Sequence, residues 1–191
     1  MKLFASLALV SILAASAYGQ GLINRRAPSF SLPDSNFTQF DILDYRGKWL
    51  LLEFMMTGDT NCPMCKDITK KLDALQLKHG SKLAVLSIAN TPPETQDTIK
   101  KFIADTKSKT PIVFDASMVA MAYFKATPAR PAIDTGHVFA IDPSGTIVQD
   151  WAQALVMGPS FSSDVDKLIA RGTGSASKEE PAAKAKANSK K

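Results

Sequence analysis

Three runs along the chain are predominantly apolar, at residues 49–56 (WLLLEFMM), 82–90 (KLAVLSIAN) and 111–115 (PIVFD). Runs of this length predict buried strands of a parallel sheet, because such strands are covered on both faces. Two later runs flank a Pro-Ser-Gly turn at residues 143–145 and predict an antiparallel hairpin over residues 137–151. The pattern thus predicts five strands in one central sheet.

Helical spacing of apolar residues connects these strands. Apolar residues recur on one side of a helix predicted for residues 63–80, with Pro63 in its first turn: Ile68, Leu72, Leu75 and Leu77. Further helices are predicted from the Pro-Pro pair at 92–93 onward, over residues 117–125 and over residues 160–170.

An N-terminal hairpin precedes the first buried strand. Phe30 and Leu32 alternate with polar neighbours, and Phe40 and Ile42 follow a turn around Asp34. The whole order predicts an α/β fold: a central, mostly parallel sheet with helices on both faces, an antiparallel C-terminal hairpin and an N-terminal hairpin extension.

Both ends of the chain differ in composition from the middle. Residues 1–19 combine a basic Lys2 with a short apolar run and small residues, which predicts a secretory signal peptide. An uncleaved segment would instead tether the protein to a membrane. Residues 171–191 are rich in Lys, Ala, Gly and Ser and predict a disordered basic tail, so residues 20–170 form the folded domain.

Charge does not indicate a nucleic-acid-binding protein. The net charge is +5, and four of these charges lie in the tail after Ala170. The excess therefore belongs to a solvated segment, although contact of this tail with a polyanion or an anionic surface stays open.

The two cysteines of the chain, Cys62 and Cys65, lie where the first buried strand passes into a helix. Outside the cytosol such a pair forms a disulfide by default, yet a bridge that closes so short a loop stabilises little. Reversible redox chemistry is the better interpretation. The first turn of a helix stabilises a thiolate, so Cys62 is predicted as the exposed attacking thiol and Cys65 as the buried resolving thiol.

Glu53 interrupts the first apolar strand. A carboxyl buried there has a raised pKa and could exchange a proton with Cys65. The alternative is that Glu53 faces a solvated edge or pairs with a lysine.

Residues 47–75 (GKWLLLEFMMTGDTNCPMCKDITKKLDAL) resemble the active-site segment of the thioredoxin superfamily. The hairpin HVFAIDPSGTIVQDW is similar to the closing strand pair of its TlpA-like and AhpC/TSA-like branches, and the likeness extends over most of residues 28–170. The resemblance implies a secreted thiol–disulfide oxidoreductase without a cofactor, with Cys62 as nucleophile, Cys65 as resolving thiol and Glu53 as buried acid. Its partners would be protein thiols or disulfides and a further redox protein.

The resemblance also concerns substrate docking. Pro63 and Met64 lie between the cysteines, and Gly136 stands where the family carries a cis-proline that contacts the substrate disulfide. The proline and threonine that precede the cysteine of peroxiredoxins are missing, since Thr60 lies two residues before Cys62. Peroxide reduction of that type is therefore disfavoured.

Two alternatives remain open. Cys62, Cys65 and His137 are soft ligands that suit Cu(I), and the chain also resembles SCO-type copper chaperones, although their cysteines are spaced differently. A thioredoxin-like domain that only binds a partner is the third interpretation.

Overall fold

A central sheet of six strands organises the protein, with a separate two-stranded hairpin beside it. The computed structural model describes residues 21–58, 62–90, 93–127 and 133–172. The strands are β1 (Arg25–Arg26), β2 (Ser31–Pro33), β3 (Gln39–Asp41), β4 (Trp49–Met55), β5 (Leu83–Asn90), β6 (Ile112–Asp115), β7 (His137–Ile141) and β8 (Thr146–Trp151). The helices are α1 (Cys65–His79), α2 (Gln96–Thr106), α3 (Met118–Phe124), α4 (Gln153–Met157) and α5 (Phe161–Ala170).

The strand order in the large sheet is β1-β8-β7-β4-β5-β6. β4 pairs in parallel with β5 and antiparallel with β7, so that Glu53 lies opposite Ser87 on one side and Val138 on the other. β5 and β6 are parallel, whereas β7, β8 and β1 are antiparallel neighbours. The α/β class and the C-terminal hairpin are confirmed, and the sheet is mixed because β4, β5 and β6 pair in parallel whereas β7, β8 and β1 join it by antiparallel pairs.

Alternation along β4 sends its side chains to two different cores. Leu50, Leu52 and Phe54 pack with α3, on the face where Ala120 and Tyr123 are buried. Leu51 and Met55 point to the opposite face, which α1, α2 and α5 cover. Because all seven residues of β4 are buried, a polar side chain in this strand enters a core whichever face it takes.

Two predicted helix starts are wrong by a few residues. α1 begins at Cys65 rather than Pro63, and α2 begins at Gln96 rather than at the Pro-Pro pair. The second start is set by Thr95, whose hydroxyl accepts a hydrogen bond from the Thr98 amide while the Thr98 hydroxyl accepts one from the Thr95 amide. This reciprocal capping box satisfies two amides at the start of α2 and thereby defines its first turn. On α1, Leu77 is 87% exposed, so its predicted place on the apolar side of the helix is wrong.

The N-terminal hairpin is confirmed as β2 and β3, with Leu32 opposite Phe40. The predicted signal peptide and nearly all of the predicted tail lie outside the described residues. Within the described part of the chain, no helix has both the length and the apolar content to cross a bilayer.

Candidate active site

Cys62 and Cys65 form a disulfide at the junction between β4 and α1. Cys65 is the first residue of α1, and its amide donates a hydrogen bond to the Cys62 carbonyl. Cys65 is buried, as predicted, but the prediction that Cys62 is exposed is wrong, since only 2% of its surface is accessible. Met55 from β4 and Phe102 from α2 pack in the same cluster as the disulfide and account for its burial.

The residues between the two cysteines are the accessible part of this junction. Pro63 is exposed and Met64 is 43% exposed, although the neighbouring sulfurs are buried. An exposed apolar pair beside the disulfide forms a surface that another protein can contact.

A buried carboxylate holds the end of β4 in place. Glu94, which precedes the cap of α2, accepts a hydrogen bond of 2.8 Å from the Thr57 amide through Oε1. Its Oε2 accepts hydrogen bonds from the hydroxyls of Thr57 and Thr98. Glu94 therefore ties the segment that leads to Cys62 to the start of α2. Glu94 cannot be recognised from the sequence as part of the site, because a single acidic residue next to a turn carries no periodic signal.

Glu53 is fully buried, and the alternative of a solvated edge or a lysine partner is wrong. Its Oε2 accepts a hydrogen bond of 2.6 Å from the Ser87 hydroxyl on β5. Oε1 has no hydrogen-bond partner among the described residues. Burial raises the pKa of Glu53 to about 7, and Asp73 adds to the rise, while the hydroxyls of Ser87 and Thr69 oppose it.

The same residues place Glu53 beneath α1. Strand alternation puts its side chain on the face of Leu51 and Met55, and Met55 packs in the disulfide cluster. Thr69, which acts on the Glu53 carboxyl, lies one helical turn after Cys65 and is also buried. The structure thus brings together the disulfide and a carboxyl that can hold a proton near neutral pH.

Gly136 lies directly before β7 with a φ of +71°. Its amide donates a hydrogen bond of 2.7 Å to the Phe54 carbonyl. A proline here would lose this bond and cannot adopt a positive φ. A Cβ atom at this position would come within 2.9 Å of Ile68 Cδ1 and 3.0 Å of Gln153 Cγ, so any larger residue would have to displace these two side chains. The positive φ favours glycine here as well.

Gln153 contacts the disulfide although it lies 91 residues after Cys62 in the sequence. Its Nε2 donates a hydrogen bond of 3.2 Å to Cys62 Sγ. This contact was missed at the sequence level, because the helix α4 that begins at Gln153 is only five residues long and was not predicted. Nothing in the residue pattern around Gln153 indicates that it meets Cys62.

His137 is directed away from the cysteines. It stacks on Phe124 and Phe139, which belong to the core on the α3 face, and its Nε2 lies 3.0 Å from Asp150 Oδ2. The disulfide lies on the other face of the sheet, with α1 and α2. Among the described residues, no group of three His, Cys, Asp or Glu side chains is placed to hold a metal ion.

The mixed sheet, with a disulfide where the central strand meets α1 and a buried carboxyl beneath, defines a thioredoxin-like domain with a Cys-x-x-Cys pair. The model of the AhpC/TSA family matches residues 23–150, and the chain belongs to this family.

Two relatives agree with this membership. The chain is 30% identical over 100 residues to the thioredoxin-like protein YneN of Bacillus subtilis (strain 168), covering 52% of this chain and 57% of YneN. It is 25% identical over 128 residues to the thiol-disulfide oxidoreductase ResA of Bacillus thuringiensis subsp. konkukian, covering 67% and 68% of the two chains. The matched part therefore spans little more than half of YneN.

Two solved structures share the fold. The thioredoxin domain of the thiol-disulfide oxidoreductase BVU-2223 from Bacteroides vulgatus superposes with a TM-score of 0.61 at 20% identity, covering 77% of this chain and 97% of that one. A SCO1/SenC family lipoprotein from Bacillus anthracis gives a TM-score of 0.62 at 17% identity, covering 78% and 95%. At such identities the two similarities show the fold alone. They do not distinguish the oxidoreductase interpretation from the copper-chaperone interpretation.

Proposed function

We propose that this protein is a thiol–disulfide oxidoreductase that exchanges disulfides with other proteins through Cys62 and Cys65. The observation that carries the proposal is the Cys62–Cys65 disulfide at the start of α1, with the Glu53 carboxyl buried beneath the same helix. The name of the relative ResA, a thiol-disulfide oxidoreductase, supports it.

Each cysteine sulfur carries out one step of the exchange. In the reduced protein, the Cys62 thiolate attacks a substrate disulfide, forms a mixed disulfide and releases one substrate sulfur as a thiolate. The Cys65 thiolate then attacks Cys62 Sγ and restores the internal disulfide. The second substrate sulfur leaves, and two electrons have passed from the cysteine pair to the substrate. The reverse sequence oxidises a substrate dithiol.

Glu53 serves as the proton store for Cys65 in this scheme. Attack by Cys65 requires its thiol to lose a proton, and a carboxylate with a pKa of about 7 can accept that proton at neutral pH. In the reverse direction the protonated carboxyl returns it to the leaving Cys65 thiolate.

Substrate docking is assigned to the exposed residues at the junction, Pro63 and Met64. Because Cys62 is 2% exposed, a substrate sulfur reaches it only when neighbouring side chains move aside. We place the reaction outside the cytosol, since the N-terminal residues have the pattern of a secretory signal and a disulfide persists in an oxidising compartment.

The decisive experiment measures turnover of a protein disulfide by the chain from Gln20 onward in the presence of a chelator. The wild type should turn over, and Cys62→Ser should have no activity. Cys65→Ser should stop after one step and accumulate a mixed disulfide with Cys62, which mass spectrometry detects. A wild type that neither turns over nor forms this adduct in the Cys65→Ser variant would overturn the proposal.

The copper-chaperone alternative is tested in the same preparation. It requires His137 as a ligand, yet this side chain stacks on Phe124 and Phe139 on the other face of the sheet. Titration of the reduced protein with Cu(I) against a competing chelator should give the same affinity for wild type and His137→Ala. A loss of affinity of about tenfold or more in His137→Ala would favour the chaperone.

A further inference from the structure

The side chain of Gln153 contacts the sulfur that the proposed reaction uses as its nucleophile. Nε2 of Gln153 lies 3.2 Å from Cys62 Sγ, within hydrogen-bonding range of a sulfur acceptor. Gln153 follows the last strand of the sheet and is 91 residues away from Cys62 in the sequence. The amide is therefore brought to the disulfide by the tertiary fold alone.

Two contacts fix the position of this amide. Gly136 leaves the space that Gln153 fills, because a Cβ atom there would lie 3.0 Å from both Cγ and Nε2 of Gln153. At the other end of α4, Lys71 Nζ donates hydrogen bonds to the carbonyls of Val156, at 2.9 Å, and Gly158, at 3.3 Å. Since Lys71 belongs to α1, the helix that begins with Cys65 also holds the helix that carries Gln153.

A hydrogen bond to this sulfur changes in strength during the reaction. A sulfur in a disulfide is a weak acceptor, whereas a thiolate carries a full negative charge and binds an N–H donor more tightly. The donor therefore stabilises the reduced form relative to the oxidised form.

We infer that Gln153 is a further catalytic residue of the exchange reaction, whose side-chain amide donates a hydrogen bond to Cys62 and stabilises its thiolate. When the enzyme reduces a substrate, this thiolate is the nucleophile that attacks the substrate disulfide. When the enzyme oxidises a substrate, Cys62 is the sulfur released as a thiolate when the mixed disulfide breaks. The inference rests on the proposed function for its substrate, while stabilisation of the thiolate is a property of the reduced protein alone.

The first test measures the pKa of Cys62 in the fully reduced chain, from the pH dependence of its alkylation rate resolved by mass spectrometry. Gln153→Ala should raise this pKa by about one unit, which is a tenfold change in the equilibrium between thiol and thiolate. Gln153→Glu keeps the length of the side chain and should raise it further, because a carboxylate repels the thiolate. Glu53, the buried carboxyl on the same face, is unchanged in all variants.

Gln149→Ala is the matched control. Gln149 lies on β8, four residues earlier, and its Nε2 donates to the Asp150 carbonyl rather than to sulfur. This variant should leave the pKa of Cys62 unchanged. Circular dichroism identifies any variant that does not fold. If Gln153→Ala does not fold, the pKa of Cys62 in Gln153→Glu, which has a side chain of the same length, tests the inference in its place.

The second test is the equilibrium of each variant with glutathione as a function of pH. At pH values well below the pKa of Cys62 found in the first test, Gln153→Ala should differ from wild type by less than about twofold. At pH values well above that pKa, the shift toward the oxidised protein should approach about tenfold. A general structural effect would not grow with pH in this way.

The outcomes separate the inference from the proposed function. An unchanged pKa of Cys62 in Gln153→Ala and Gln153→Glu would overturn the role of Gln153, even if the wild type exchanges disulfides. Raised pKa values in a protein that turns over no disulfide would uphold the contact with the thiolate and overturn the exchange activity.

Discussion

The hydroxyl of Ser87 donates a hydrogen bond of 2.6 Å to Glu53, its direct neighbour across the parallel pair β4 and β5. This one bond satisfies only one oxygen of a carboxyl that is completely buried. A buried carboxylate with so few donors is more costly than the neutral acid, which is why its pKa rises to about 7.

The stability of the oxidised protein should fall as the pH rises through the range in which Glu53 titrates. In the unfolded chain this carboxyl has its ordinary pKa of 4.5, and in the folded protein about 7. Between these two pH values the carboxyl is deprotonated in the unfolded chain but still protonated in the folded protein. The free energy of unfolding therefore falls as the pH rises, and the loss is complete above about pH 7. A shift of this size corresponds to about 3 kcal/mol.

Glu53→Gln removes this titration and should be more stable than wild type near pH 8 by up to about 3 kcal/mol, and similar to it near pH 4. Urea denaturation at the two pH values measures the difference. Asp105→Asn removes an exposed carboxyl and should leave the profile of the wild type unchanged. Parallel profiles for Glu53→Gln and wild type would show that Glu53 does not titrate in this range.

The same variant should slow the chemistry. Gln cannot take the proton of Cys65, so release of the mixed disulfide near pH 7 should slow by about a hundredfold, the lower end for a positioned acid or base. Rapid-quench measurement of the mixed disulfide resolves this step from its formation. Formation should be unaffected, and unchanged release would remove Glu53 from the mechanism.

Gly136→Ala should be among the more destabilising glycine substitutions. It combines a positive φ, which costs about 1–2 kcal/mol for an L side chain, with overpacking against Ile68 and Gln153, which costs about 1–3 kcal/mol. Gly80→Ala is the matched control, because Gly80 also has a positive φ but no atom lies within 4 Å of its Cβ position. Denaturation should show a larger loss for Gly136→Ala, and equal losses would mean that the site accommodates the methyl group.

Glu94→Ala should loosen the segment that leads to Cys62. The variant removes the acceptor for the Thr57 amide and for the hydroxyls of Thr57 and Thr98. Because Thr57 is half-buried and Thr98 is exposed, water replaces part of these hydrogen bonds, and the expected loss is about 1 kcal/mol. Hydrogen exchange of the Thr57 amide should accelerate together with the loss of stability. Asp97→Ala, which removes an exposed acid from the first turn of α2, should leave Thr57 protected.

His137→Ala should reduce stability without reducing disulfide exchange. The ring contacts Phe124 and Phe139, and Nε2 bonds to Asp150, so the variant should lose about 2–4 kcal/mol. Turnover per folded molecule should equal that of wild type, because the imidazole lies on the face of the sheet opposite the disulfide. A loss of turnover at full folding would place His137 in the reaction.

The fold class and the centre of the site can both be predicted from the amino-acid sequence. The apolar runs of β4, β5 and β6 have no polar face, and only a sheet covered on both sides buries them. The spacing of Cys62 and Cys65 at the strand end, and a carboxyl within that strand, are local features. They could be identified without knowledge of any long-range contact.

The distant residues that contact this centre are known only from the packing of the folded chain. Gln153 approaches Cys62 because Gly136 leaves room and Lys71 holds α4, and these contacts link parts of the chain with no shared pattern. His137, which the sequence made a possible ligand, is turned to the other face by the alternation of β7. Periodicity predicts which residues are buried, but the packing of the strands and helices decides which of them meet.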